Sequence, residues 1–219
     1  MSKAPRLWAK QHTIKKNSYE FNGLLWPIQG THGGINKRHL ERIFYQLDVM
    51  LNRYSKVLVV RFDLHMPAYT DDNELLTLFR RRFFKRIRAK YSIKDIAYFW
   101  CREYEKGKGQ HYHWAIIVDG KKAKSGYPTN ELATLVWTGL GGSIHKGQYH
   151  HFSRREHEKQ KNAIEHLSYL AKVRTKGYAG DKIKCFSSSK LDYPDGYINW
   201  EKGLYSKQKS DSKENDINS

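Results

Sequence analysis

IAYFWCREYEKGKGQHYHWAIIVD, Ile96 to Asp119, is the stretch on which the fold turns. Two runs rich in aromatic and β-branched residues flank a short segment containing Gly107 and Gly109. The pattern reads as a β-hairpin, with strands over 96–105 and 111–119 joined by the turn Lys106 to Gln110. Side chains alternate along a strand, so His111 and His113 share one face while Tyr112 and Trp114 take the other. Glu103 and Glu105 have matching parity. A five-residue turn sets Glu105 opposite His111 and Glu103 opposite His113, so carboxylates and imidazoles meet on one sheet face; a four-residue turn breaks that match.

Two imidazoles and a carboxylate leave coordination positions open, which suits a divalent cation that must also hold a substrate oxygen. Mn²⁺ or Mg²⁺ serves on a phosphodiester, and zinc is compatible with the same donors.

Upstream of the hairpin, KVLVVRFDLH (Lys56 to His65) reads as a buried strand stopped by Pro67. Its odd members Arg61, Asp63 and His65 share the face opposite Leu58, Val60, Phe62 and Leu64. Leu40, Ile43, Phe44, Leu47, Met50 and Leu51 recur at helical spacing over 36–53. A second helix starts within Thr70 to Glu74, where Asp71 and Glu74 form a capping-box pair, and continues through Phe79, Phe83 and Ile87. Its outer face carries Arg80, Arg81, Arg82, Lys85, Arg86, Arg88 and Lys90, either a solvated face or one that contacts phosphates.

Downstream, Pro128 and Thr129 open a helix over 130–138 that Gly139, Gly141 and Gly142 close. A strand over 143–152 and a helix over 156–173 follow. The order gives an α+β fold: a split βαβ, ferredoxin- or RRM-like antiparallel sheet of four to five strands. Helices cover one face, and the other is left for a site beside a tyrosine-bearing helix. The main domain spans 35–180. Residues 1–34, with Trp8 and Trp26 as anchors, form an extension of unassigned structure; 181–206 form a C-terminal extension, and 207–219 a disordered tail.

A length of 219 residues suits one ordinary domain, and an aromatic content of 14% argues against a disordered chain. The formal charge of +18 points to a polyanionic partner. No apolar run reaches membrane-spanning length and the first residues lack a signal-peptide core, so a cytoplasmic protein without a membrane partner is expected. Cys101 and Cys185 have no CxxC spacing and read as free thiols.

On the last helix, Tyr169 and Lys172 are three residues apart, which sets phenol and ammonium on one side. Neither Glu165 nor Val173 supplies a second tyrosine one turn away.

Taken in order, RFDLH (Arg61 to His65), REYEKGKGQHYH (Arg102 to His113) and YLAKVRTK (Tyr169 to Lys176) resemble the replication initiators of the HUH endonuclease superfamily. The likeness is to the family typified by inovirus-type, filamentous-phage replication proteins, over about Arg53 to Lys176. The resemblance implies that His111, His113 and Glu103 hold Mn²⁺ or Mg²⁺, that Tyr169 is a single nucleophile, and that Lys172 is the motif lysine. It implies rolling-circle initiation: nicking and rejoining of single-stranded or unwound origin DNA through a 5′-phosphotyrosine link, with host helicase and polymerase as partners. Arg61, Arg80, Arg81 and Lys176 are the expected DNA contacts, with Asp63 and Glu105 supporting the site from behind. Two other readings stay open: a non-catalytic single-stranded nucleic-acid-binding module, and a metal-dependent phosphodiester hydrolase without a covalent intermediate.

Overall fold

The structure is a computed structural model; it describes residues 13–31, 33–173 and 183–194. Short strands β1 (Thr13–Ile14), β2 (Ser18–Phe21), β3 (Leu24–Pro27) and β4 (Ile35–Asn36) lead into helix α1 (Lys37–Arg53). There follow β5 (Lys56–His65), α2 (Glu74–Tyr91), β6 (Ala97–Glu105), β7 (Gly109–Asp119), α3 (Tyr127–Thr138), β8 (Ser143–Ser153), α4 (His157–Ser168) and β9 (Phe186–Ser188). A five-stranded sheet runs β8-β5-β7-β6-β9, and every neighbouring pair is antiparallel. The protein is therefore α+β, as the pattern of strands and helices leads one to expect.

Helices cover both faces of the sheet, not one. α2 and α3 pack over Leu58, Val60, Phe62, Leu64, Tyr112 and Trp114. α1 and α4 pack over the opposite face, against Val57, Val59, Phe99, Cys101, Ala115 and Ile117. The reason lies in the strands: β5 and β7 are near-continuous apolar runs in their middles, so neither face can be left to water. Among the described residues the apolar cover gives way at the end of the second face, where Asp63, Glu103, His111 and His113 replace the apolar residues.

The leading residues are part of this core. Trp26 packs edge-on against Phe44 of α1 at 5.6 Å, and Trp26, Ile28 and Ile35 are buried with the α1 cluster. Trp8 lies outside the described residues. The 181–206 segment also joins the fold, because β9 adds an edge strand to β6 and the Gln46 amide of α1 donates to the Leu191 carbonyl at 2.8 Å.

Element ends follow local chemistry. Asn36 caps α1 by accepting from the His39 amide at 3.1 Å. At α2 the Asp71–Glu74 capping box does not form; Asp72 Oδ1 instead accepts from the Glu74 amide at 2.8 Å, and Ser92 in the left-handed region (φ 51°) ends the helix. Pro128 occupies the first turn of α3, where its missing N–H costs nothing.

Candidate metal centre and tyrosine site

The β6–β7 turn is shorter than the sequence suggests. Glu105 pairs with Gly109, so three residues make the loop, and Gly107 and Gly109 supply the positive φ values (93° and 67°) that so tight a reversal needs. Register moves by two residues relative to the five-residue turn, so Glu103 lies opposite His111 and Cys101 opposite His113. A shift of two preserves the facing of every side chain. Glu103 therefore stays with the histidines, whereas Glu105 moves to the hairpin end and pairs with Lys108 at 2.9 Å.

Glu103, His111 and His113 are all buried, and their ligand atoms lie within 4.8 Å of one another. Glu103 Oε2 is 3.4 Å from His113 Nε2 and 3.9 Å from His111 Nε2. The other ring nitrogens settle the tautomers. His111 Nδ1 lies 3.1 Å from the Gly109 carbonyl, which can only accept, so Nδ1 carries the proton. His113 Nδ1 lies 2.7 Å from Asp63 Oδ1 and donates to that carboxylate. Both Nε2 lone pairs then converge on Glu103, and among the described residues the buried Nε2 of His113 has no hydrogen-bond partner. A carboxylate behind a histidine, two lone pairs and a carboxylate in front, and an orphaned buried nitrogen are what a divalent cation requires of its ligands.

Charge balance follows burial. Burial lowers the His111 pKa, with the Gly109 hydrogen bond opposing. At His113 burial again acts downward, but the Asp63 and Glu103 carboxylates outweigh it and leave the ring more basic than usual. Asp63 is held below its ordinary value: burial works against this, and the hydrogen bond to His113 and the charges of His113 and Arg61 override it.

Tyr169 joins this cluster from a different element. Its ring meets His113 edge-on, with centroids 4.8 Å apart. The tyrosine does not sit within a continuous helix to 173, because α4 ends at Ser168 and a single 3₁₀ turn, Tyr169–Ala171, follows. Ser168 Oγ donates to the Glu165 carbonyl at 2.6 Å and accepts from the Gln29 amide at 3.0 Å, which ties the helix end to the leading segment. Lys172 then bridges Ile35, and the Val173 amide donates to the Gly34 carbonyl at 3.0 Å. Gln29, Gly34 and Ile35 thereby hold the tyrosine in place, a role for the N-terminal segment that the sequence does not announce.

Two cations lie on the phenol: Arg61 Cζ and Lys172 Nζ are each 4.4 Å from the ring centroid. Burial and the Glu103 carboxylate raise the Tyr169 pKa, and Arg61 opposes them. The phenol is thus protonated at neutral pH, with positive charge beside it that would stabilise a phenolate.

Arg61, Asp63, Glu103, His111, His113, Tyr169 and Lys172 are brought together. Arg80 and Arg81 are not: α2 packs on the other face of the sheet, and Arg80 bonds the Tyr98 hydroxyl there. Lys176 lies outside the described residues. Sequence reasoning also missed an imidazole pair beside Arg61, His150 Nε2 and His166 Nδ1 at 3.1 Å. Burial lowers both pKa values, that of His166 to about 4 with Arg61 contributing. The β5–β8 pairing slips by one residue between Val60 and Phe62, so alternation along β8 does not carry through to His150, which lies opposite Val59.

The YagK/YfjJ C-terminal domain family matches residues 20–138, more than half of the 219-residue chain. The chain belongs to that family. The YagK/YfjJ match contains Arg61, Asp63, Glu103, His111 and His113 and stops before Tyr169 and Lys172. No curated protein matches the chain, and no solved structure does. Among the described residues, no helix is long and apolar enough to cross a membrane.

Proposed function

We propose that this protein nicks and rejoins single-stranded DNA through a covalent phosphotyrosine, as a rolling-circle replication initiator of the HUH endonuclease type. The observation that carries the proposal is the 4.8 Å contact between Tyr169 and His113, residues 56 positions apart on different elements. The strand order β8-β5-β7-β6, with α2 and α3 on one face, fits the split βαβ arrangement of such enzymes.

Glu103, His111 and His113 would hold Mn²⁺ or Mg²⁺, which when bound polarises a phosphate oxygen. Asp63 keeps His113 in the tautomer that offers Nε2. Arg61 and Lys172 hold the phenol ring and offset charge that develops on its oxygen. The phenol gives up its proton as its oxygen attacks phosphorus, the Tyr–O–P bond forms as the P–O3′ bond breaks, and the departing 3′ oxygen takes up a proton to become a free hydroxyl, so that no net proton is released. On this reading the partners are unwound origin DNA and the host helicase and polymerase, in the cytoplasm.

The test is a denaturing gel of labelled single strands with wild-type and Tyr169→Phe protein, in Mn²⁺ or EDTA. A shifted adduct that needs both tyrosine and metal is expected; none with any strand overturns the proposal. That the family match holds the metal-type cluster but not Tyr169 favours a second reading, a phosphodiester hydrolase without a covalent step. Metal-dependent cleavage retained in Tyr169→Phe would establish it.

A further inference from the structure

Helix α2 is charged unlike its neighbours. Arg81, Arg82, Lys85, Arg86, Arg88 and Lys90 are all exposed, and between Leu75 and Lys94 the chain has no acidic residue. On α1 and α4 the signs are mixed: Lys37 pairs with Glu41, Lys159 with Glu156 and Lys161 with Glu158, although among the described residues the exposed Arg38 and Arg42 of α1 join no ion pair. Among the described residues no ion pair joins the outer cations of α2. Instead Arg81 and Lys85, Arg82 and Arg86, and Arg86 and Lys90 stand four residues apart, where like charges repel. A face that serves only for solubility would mix its signs, as α1 and α4 do; this one gives up stability to keep a single sign.

Of the aromatic residues of the helix, Phe79, Phe83 and Phe84 are turned into the core, and Tyr91 packs against it with its hydroxyl 3.0 Å from Thr129 Oγ1. The outer face thus offers cations and no ring on which an unpaired base could stack, which suits a phosphate backbone with its bases enclosed. Arg81, Lys85 and Arg88 fall on one line spanning about 10 Å of helix axis. The helix lies across the sheet from Glu103, His111 and His113.

We propose that α2 is a second nucleic-acid surface, which grips the backbone of double-stranded DNA while single-stranded DNA is handled on the other face. The choice of DNA rests on the function proposed above; the backbone contact rests on the charge pattern.

The experiment measures full-length protein binding to a labelled 25-base-pair duplex, by fluorescence anisotropy across a salt series. It compares wild type, Arg81→Gln/Lys85→Gln/Arg88→Gln, and a control with Lys37→Gln, Lys159→Gln and Lys161→Gln. Three lost phosphate contacts lower the slope of log K against log salt by about 2–3 and weaken binding at least about tenfold at moderate salt. All the substituted residues are solvent-facing, and far-UV circular dichroism verifies folding. An unchanged slope in the α2 variant, or an equal loss in the control, overturns the proposal. Adduct formation on single strands is scored with the same proteins. Its absence from wild type refutes the covalent chemistry and leaves the α2 result standing.

Discussion

Asp63 is the residue whose replacement best separates a metal centre from an incidental cluster. Its Oδ1 lies 2.7 Å from His113 Nδ1 and 3.7 Å from the Arg61 guanidinium. In Asp63→Asn the amide oxygen can still accept from Nδ1, so the tautomer survives while the negative charge that raises ligand basicity is lost. In Asp63→Leu both are lost, and Arg61 remains as an uncompensated cation beside the ligands. Removing an outer partner of this kind costs roughly 10–100-fold in metal affinity, or about 1.4–2.8 kcal/mol. The asparagine variant belongs at the lower end and the leucine variant at the upper. Calorimetric titration with Mn²⁺, and with Zn²⁺ as a tighter-binding probe, measures the series against Glu103→Gln as the ligand-loss reference. Wild-type affinity in Asp63→Leu would refute the reasoning, because among the described residues Asp63 is the acceptor that holds the proton on His113 Nδ1.

Three further outcomes follow from the geometry. Asp48 is buried, and burial raises its carboxyl to about 7 against the Tyr193 hydrogen bond and the charge of Arg154. Its neutral form contributes stability fully below about pH 4 and loses it as pH rises to about 7, a ceiling of about 4 kcal/mol; Asp48→Asn should therefore gain on wild type across that window in chemical denaturation, and parallel pH profiles would contradict this. Gly142→Ala would put a Cβ 2.2 Å from Trp137 Nε1, which donates to the His65 carbonyl at 3.0 Å. Overpacking of this kind costs about 1–3 kcal/mol, and an unchanged melting temperature would show that Trp137 can yield. Arg61→Leu removes a cation from the Tyr169 ring, so adduct formation should slow without any weakening of Mn²⁺ affinity; unaltered rates would leave Arg61 a structural partner of Asp63.

Much of this was legible in the sequence because alternation is local. The facing of His111, His113, Glu103, Asp63 and Arg61 follows from strand parity, and it survived an error in turn length because the error was even. Turn length itself was hidden in the two glycines: a three-residue loop requires positive φ at both, and composition alone does not say which of several glycine turns the chain adopts. The end of α4 was hidden for another reason. Ala163, Ile164, Leu167, Leu170 and Ala171 keep a helical spacing through the 3₁₀ turn, and it is the tether from Ser168 to Gln29 and from Val173 to Gly34 that ends the helix. Strands β1 to β4 are two to four residues long, too short for periodicity to register, and they are stabilised by packing onto α1 rather than by their own pattern. The cover of α1 and α4 over the second sheet face could have been read from the apolar odd positions Val57, Val59, Ala115 and Ile117.

The most direct measurement is to locate the nucleotide. Wild-type protein is incubated with single-stranded DNA and Mn²⁺, digested with nuclease and trypsin, and analysed by mass spectrometry. The peptide Asn162 to Lys172 contains Tyr169 as its one tyrosine. The account expects a nucleotide mass on that peptide, absent when EDTA replaces the metal. A nucleotide on any other tyrosine, or cleaved DNA with every tyrosine unmodified, would contradict it.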